Sequence, residues 1–326
     1  MSTPSTGPST GTPGGAPTGR FDRPVVLGAG PVGRAIVDAL GARGHHPTVI
    51  TRSGTDVAGA AARPADLADP AAATAAIADA TIAFSAAQPA YHRWVEEFPA
   101  LQASIVAAAQ AAGAPLMVVE NLYGYGPHDG PLTEGLPMRP TTRKGTVRAE
   151  MWRSLHDAST RGELQMAVVR ASDFVGPGIE GSSFGTRFFD PLRKGKPART
   201  MGDVDTRHSV TFVPDLAEAL VRVAEDDTTW GRAWHAPCAP AVSQRRLAEI
   251  AAATIGRPGA IRTTPAWMLR GLGVFVKPVG EMVEMLYEFD ADFVVDSSAF
   301  TEHFAMEATP LETALAAVMG AEAVAA

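Results

Sequence analysis

Residues 26–35 read VLGAGPVGRA, and the apolar run PVVL at 24–27 leads straight into Gly28, Gly30 and Gly33. A strand that breaks on three glycines spaced G-x-G-x-x-G and continues as a helix is the setting in which this spacing means a dinucleotide turn. Gly28 allows the tight turn, Gly30 lets the backbone approach a pyrophosphate, and Gly33 lets helix and strand pack closely. Pro31 stands where a first helical residue tolerates proline, Val32 follows it, and the helix N-terminus attracts the anion. The alternative is an ordinary glycine-rich strand–helix turn.

Outward from this turn, short apolar runs alternate with alanine-rich helical stretches. PVVLG, TVITR, TIAFSA, PLMVVE and QMAVVR read as strands. Residues 31–44, 69–80, 93–113 and 146–160 read as helices, with Pro99 inside the third as a place for a kink or split. Strands alternating with helices imply an α/β fold with a parallel sheet covered on both faces. No internal repeat stands out.

The chain has 326 residues, 46% hydrophobic and 19% charged, enough to bury a large core, and a net charge of −7. That balance argues against nucleic-acid or anionic-membrane partners, and no apolar run is long enough to cross a bilayer. The single cysteine, Cys238, has no internal partner and reads as a buried structural thiol, which fits a cytoplasmic protein. Residues 1–20 are Ser, Thr, Pro and Gly with almost no apolar side chains. They read as a disordered tail rather than a secretory signal. No His, Cys, Asp and Glu set has metal-ligand spacing, so no metal is expected.

The end of the second strand chooses the cofactor. An NAD site usually carries an acid there for the ribose hydroxyls, whereas this chain reads VITRSGTD. Arg52 can pair with a 2′-phosphate and Ser53 can add a hydrogen bond, so NADP(H) is preferred. NAD(H) stays open, with Arg52 as a solvated strand-end charge and Asp56 on the ribose.

The ordered set GAGPVG, ADLAD, FSAAQPAY, VVENLYGYGP, VVRASDFVGPG, VTFVPDLAEAL and the tail VVDSSAFTEHFAMEATPLETAL resembles the extended short-chain dehydrogenase/reductases, the NAD-dependent epimerase/dehydratase group. The resemblance covers most of residues 24–318. It implies a Rossmann doubly wound parallel sheet with a smaller C-terminal substrate-binding domain. The expected division is a dinucleotide-binding domain of 21–175 and 210–238, and a substrate-binding domain of 176–209 and 239–326. It also implies Asp66 and Leu67 near the adenine, and Ala86 and Ala87 in the loop along the cofactor.

The family's catalytic set is a Ser or Thr after the fifth strand and a Tyr-x-x-x-Lys at the next helix. In the register through Pro140 and Glu150, Asn121 stands at the Ser/Thr position, Thr142 at the Tyr position and Thr146 at the Lys position. A threonine hydroxyl is a poor acid and carries no charge. Tyr123, ahead of Tyr125, is the preferred general acid in its place. Lys144 lies two residues from the expected helix face and reads as a solvated lysine unless the register differs. Asn121 can orient a substrate or a water. Asp173, Arg207 and His208 are the candidate substrate-binding residues, with loop or surface roles as the plainer alternatives. His45 and His46 read as exposed, and His92 as near the nicotinamide end.

The stretch TPAWMLRGLGVFVKPVGEMVEMLYEF reads as core, as the wall of an apolar substrate pocket, or as a homodimer interface. Three functions follow. The first is an NADP(H)-dependent oxidoreductase on a small carbonyl or alcohol with an atypical site. The second is an epimerase, dehydratase or isomerase that keeps its cofactor, and the third a non-catalytic dinucleotide sensor.

Overall fold

The computed structural model describes residues 19–273, 280 and 283–320. The expected disordered tail falls, apart from Gly19 and Arg20, outside the described residues, as do 274–279, 281 and 282 of the apolar C-terminal stretch.

The first half alternates strand and helix: β1 (Pro24–Leu27), α1 (Pro31–Gly41), β2 (Thr48–Thr51), β3 (Ala61–Pro64), α2 (Pro70–Ile77), β4 (Ile82–Ser85), α3 (Trp94–Ala112), β5 (Leu116–Glu120), α4 (Arg143–Thr160) and β6 (Met166–Arg170). The second half adds β7 (Asp173–Val175), α5 (Thr186–Arg193), β8 (Ala198–Met201), β9 (Arg207–His208), β10 (Val210–Phe212), α6 (Val213–Glu225), β11 (Ala233–His235), β12 (Val242–Ser243), α7 (Gln244–Ala253), β13 (Ile261–Thr264) and α8 (Ala266–Gly273). Seven strands form one sheet in the order β11-β6-β5-β4-β1-β2-β3, every pair parallel. This is the doubly wound Rossmann arrangement, with the strand order reversing between β1 and β4.

Period-two alternation sends the strand side chains to opposite faces. In β1, Val25 and Leu27 enter the core under α2, α3 and α4, while Val26 enters the one under α1 and α6. α3 runs unbroken through Pro99. Two starts differ from the sequence reading. β3 is an edge strand of mostly exposed Ala, Arg and Pro, with no apolar alternation to announce it. α4 begins at Arg143 rather than 146, because the Thr142 side chain accepts from Gly145 N and caps it.

A third apolar core lies outside the sheet. It is built from α5, α7, Phe289 and the helix Leu311–Met319, with β8 and β13 pairing in parallel beside it. The apolar C-terminal stretch divides: Leu269, Met285, Leu286 and Phe289 are buried, while Trp267 is 71% exposed.

Candidate active site

In open α/β sheets the ligand crevice lies beyond the carboxyl ends of the strands where the order reverses. Here that is the space between the β1 and β4 ends. Gly28 adopts φ +103°, and its N–H donates to Ile50 O at 3.0 Å. A Cβ there would lie 3.1 Å from Ala86 O and from the Ala87 backbone, so the two segments touch. A Cβ on Gly33 would lie 2.0 Å from Gly28 O. Gly30 is exposed, a Cβ there would meet nothing within 4 Å, and it opens onto a cleft of 460 Å³. The turn is closed where helix meets strand and open where a pyrophosphate would lie. These residues fit a dinucleotide. No side chain caps α1, whose first residue is Pro31.

At the β2 end, Arg52 and Ser53 are exposed. Arg52 makes no hydrogen bond or ion pair among the described residues, and Ser53 Oγ lies 2.9 Å from Thr55 Oγ1. Asp66 is exposed and accepts from Ala68 N, while Leu67 is buried in the core.

The cleft runs from Gly30, Pro31, Val32 and Gly33 past Ala86 to Asn121, Tyr123 and Asp173. There it meets a second cavity of 580 Å³, and Tyr91, Tyr123, Asp173 and Glu288 line both. Tyr91 comes from the 3-10 turn Tyr91–Arg93 before α3, and its phenol lies near that of Tyr123 on the shared wall. Burial pushes both phenols well above their usual range, so both hold their protons at neutral pH. Asn121 turns its Oδ1 to Tyr123 N at 3.3 Å. His92 is exposed and belongs to neither cavity.

The register read on α4 needs correction. Thr142 spends its hydroxyl on the helix cap, and Thr146 is exposed with its hydroxyl donating to Thr142 O. The inward pair one turn apart is Lys144 and Arg148, two residues later, because the helix starts at Arg143. A Cβ on Gly145 would lie 2.6 Å from Tyr123 O, so a glycine is needed for α4 to approach the tyrosine loop. Lys144 is therefore buried rather than solvated. Its Nζ lies 3.2 Å from Glu284 Oε2 and 4.6 Å from the centre of the Tyr91 ring. Burying an ammonium costs several kcal/mol unless it is paired, and this geometry supplies the pair. Lys144 stands behind Tyr91, outside both cavities.

Tyr125 lies apart from Tyr123. It is 3% exposed, accepts from Arg170 Nη1 at 2.7 Å and lies 2.8 Å from His235 Nε2. Arg170 pairs with Glu120 at 2.8 Å. Tyr125 thus joins a buried network and reaches neither cavity. Arg207 is an exposed partner of Asp292 at 2.7 Å, also outside both.

Asp173 and His208 are brought together, Nε2 to Oδ2 at 3.0 Å. The imidazole stacks between Phe289 and Phe293, and its Nδ1 lies 3.1 Å from Glu288 O. Burial alone would raise the Asp173 carboxyl, but the His208 bond and contacts from Ser183 outweigh it and hold Asp173 below its ordinary range. Cys238 is half-buried, and burial pushes its thiol up to about 11.

The second cavity mixes apolar Leu269, Met285 and Phe289 with Arg187, Arg199 and Arg262. Arg199 and Arg262 face each other in the β8–β13 register. None of the three arginines has an ion pair or hydrogen bond among the described residues. Sequence reasoning passed over Tyr91, Glu288 and these arginines. Tyr91 sat in the quoted FSAAQPAY, where position after a strand end was the available signal.

Residues 25–234 match the NAD dependent epimerase/dehydratase family. No curated protein matches the chain. Among solved structures, the chain is similar to the UDP-glucuronic acid 4-epimerase from Bacillus cereus in complex with NAD, at 14% identity, covering 91% of this chain and 97% of that one, with a TM-score of 0.74. The UDP-glucose 4-epimerase complex with NAD from Thermus thermophilus is 18% identical, with coverage of 91% and 98% and a TM-score of 0.72. A putative epimerase from Burkholderia cenocepacia is 18% identical, with coverage of 93% and 99% and a TM-score of 0.74. At such identities the likeness shows the fold. The family match spans well over half of the sequence, and the chain belongs to the NAD dependent epimerase/dehydratase family.

Proposed function

We propose that the chain is an oxidoreductase that interconverts a hydroxyl-bearing carbon and a carbonyl on an anionic substrate of the sugar-nucleotide class. Its cofactor is a nicotinamide dinucleotide, NADP(H) in preference to NAD(H). The observation that carries this reading is the shared wall of Tyr91, Tyr123, Asp173 and Glu288, where the glycine-lined cleft opens into the second cavity. The bound dinucleotide supplies hydride transfer.

The chain's own residues do the rest. Gly28, Gly30 and Gly33 shape the pyrophosphate seat. Asp66 and Leu67 are assigned to the adenine end, and Arg52 with Ser53 to the 2′-phosphate. Ala86 and Ala87 flank the cofactor path. Tyr123, whose phenol keeps its proton, donates to the substrate oxygen and stabilises the charge that gathers there. Asn121 holds the Tyr123 loop, and the Asp173–His208 pair anchors the wall. Arg187, Arg199 and Arg262 meet the substrate's negative charge. This departs from the small carbonyl or alcohol substrate of the first function read from the sequence.

Two solved relatives of the same fold carry NAD in their descriptions, and another is described with UDP-glucuronic acid and NAD. They support the sugar-nucleotide class and favour a second reading, an epimerase that keeps its cofactor bound. Arginines facing a separate cavity speak against a pure sensor.

Calorimetric titration with NADP⁺ and NAD⁺, followed by turnover on a panel of sugar nucleotides with and without charged sugars, tests the proposal. Binding of either dinucleotide and turnover of an anionic member are expected. Dinucleotide retained through gel filtration selects the epimerase reading. Absence of binding to both dinucleotides overturns the proposal.

A further inference from the structure

The junction of the two cavities holds an acid that the family's Tyr and Lys do not account for. Glu288 lies in the short helix Tyr287–Asp290, is 3% exposed, and lines both the glycine cleft and the arginine cavity. Its carbonyl lies 3.1 Å from His208 Nδ1, which fixes the residue, and its Oε1 accepts from the Tyr287 hydroxyl at 3.4 Å. No cation pairs with its carboxyl among the described residues. The groups that act on it are Tyr287 from its own helix, Tyr91 from the turn before α3, Tyr123 from the loop after β5, and Asp173 from β7. Behind these stand His208 on Asp173, and Lys144 with Glu284 beneath Tyr91.

We propose that Glu288 is a catalytic residue, the carboxyl that takes the substrate's hydroxyl proton on oxidation and returns it on reduction. The inference rests on the oxidoreductase reading above. In the forward step the substrate O–H bond breaks and an O–H bond forms on Glu288. The C–H bond breaks as well, its hydrogen leaving with both electrons as the hydride that NAD(P)⁺ accepts, and a C=O bond forms.

Glu180 also lines both cavities but is solvent-exposed, and the remaining junction groups are unsuited to this exchange. Asp173 has its oxygens engaged by His208, Ser182 and Ser183 and stays ionised. Both nitrogens of His208 are used. The three phenols hold their protons far above neutrality. Burial, with Asp173 nearby, lifts the Glu288 carboxyl well above its ordinary range, opposed by the Tyr287 bond. A carboxyl raised in this way can both hold and release a proton at working pH.

Infrared spectra of the full chain, recorded with and without NADP⁺ across pH, test this independently of turnover. The expected result is a protonated-carboxyl carbonyl band that shifts in D₂O and gives way to carboxylate bands as pH rises, since the ionised form is the one that takes the substrate's proton. It should be absent in Glu288→Gln and retained in Asp173→Asn. With the panel substrate, Glu288→Gln should lower kcat by ~10²–10⁴-fold with little change in KM, and the pH profile should lose the corresponding limb. If Glu288→Gln fails to fold, Glu288→Asp keeps a carboxyl, and a displaced band with reduced kcat is the expected result. A band unchanged in Glu288→Gln, or wild-type turnover in it, overturns the inference. Failure of both dinucleotides to bind would instead defeat the oxidoreductase reading, while the band still reports on Glu288.

Discussion

The turn after β1 and the loop after β5 leave the same edge of the same sheet, yet they are built by different means. The first is made by backbone. A Cβ on Gly33 would overlap Gly28 O at 2.0 Å, whereas one on Gly30 would meet nothing. The second is made by side chains from separate segments: Tyr91 before α3, Tyr123 after β5, Asp173 on β7 and Glu288 near the end of the chain. A ligand seat built from backbone admits one residue type at each position. A cavity wall built from side chains can draw them from any segment that reaches it, as Tyr91 and Glu288 do from segments far apart in the chain.

The sharpest break of this comparison lies within the turn. Gly30→Val should weaken dinucleotide binding by at least ~100-fold, about 2.7 kcal/mol, with little change in thermal stability, because its Cβ points into open space. Gly33→Ala should instead cost more than about 3 kcal/mol of stability through backbone overlap. Calorimetry and chemical denaturation on both variants separate the two. Normal dinucleotide binding by a folded Gly30→Val would remove the pyrophosphate seat from this turn.

The same division runs through the two tyrosines of NLYGYGP. Tyr123→Phe should lower kcat by ~10²–10³-fold, the usual loss for one donor to a developing oxyanion, while the ring keeps its place beside Trp94. Tyr125→Phe should leave kcat unchanged and cost about 1.5–3 kcal/mol of stability, because it removes a hydrogen bond to the charged Arg170. Equal rate losses in both would mean that the loop acts by packing rather than by chemistry.

How much of this could be read in advance follows from the physics of each element. The turn was legible because its constraints are local: strand, glycine spacing and Pro31 lie within ten residues. The sheet was legible in its buried apolar runs, except β3, whose AARP faces mostly solvent, and β11, whose three residues AWH are too short to announce a strand. α4 was legible as a helix but not in phase, since its start depends on the Thr142 cap, and a two-residue error turns a side chain by about 200°, to the opposite face. Tyr125 and Tyr123 look alike in sequence. Only tertiary contacts with Arg170 and His235 set the former aside. Glu288 is one of three glutamates, with Glu281 and Glu284, in an otherwise apolar stretch, and nothing local marks it as the one at the junction, because its burial depends on elements far away in the chain.

At the β2 end, where Arg52 is exposed, the predicted effect is smaller. Arg52→Ala should weaken NADP(H) binding by ~10–100-fold, matching about 1.5–3 kcal/mol for a hydrogen bond to a charged group, and leave NAD(H) binding unchanged. Calorimetry of both dinucleotides checks this. Equal affinity for the two in the parent chain would move the ribose contact to Asp56 and remove the preference.

The smallest expected effect lies behind the turn, where α1 is tied to α6. Arg43 reaches Glu218 at 2.8 Å, and Arg222 also bonds Glu218. The Arg43 hydrogen bond, ahead of desolvation and the Arg222 bond, lowers the Glu218 carboxyl from 4.5 to about 2. A depressed carboxyl pKa stabilises the fold fully above the unfolded value and loses that contribution as pH falls through the folded value. The window is therefore 4.5 down to about 2. The group is largely solvent-screened, so the full linkage energy is discounted to about 1 kcal/mol. Glu218→Gln should lower stability by that amount at pH 7, with the difference from the parent shrinking towards zero near pH 2. Denaturant midpoints across this range measure it, and dinucleotide affinity should not move, because Arg43 lies beyond the C-terminal end of α1 and Gly30 precedes its N-terminal end. A change in affinity without a change in stability would mean that α6 reports to the pyrophosphate seat, and would blur the separation between a seat made by backbone and the side chains around it.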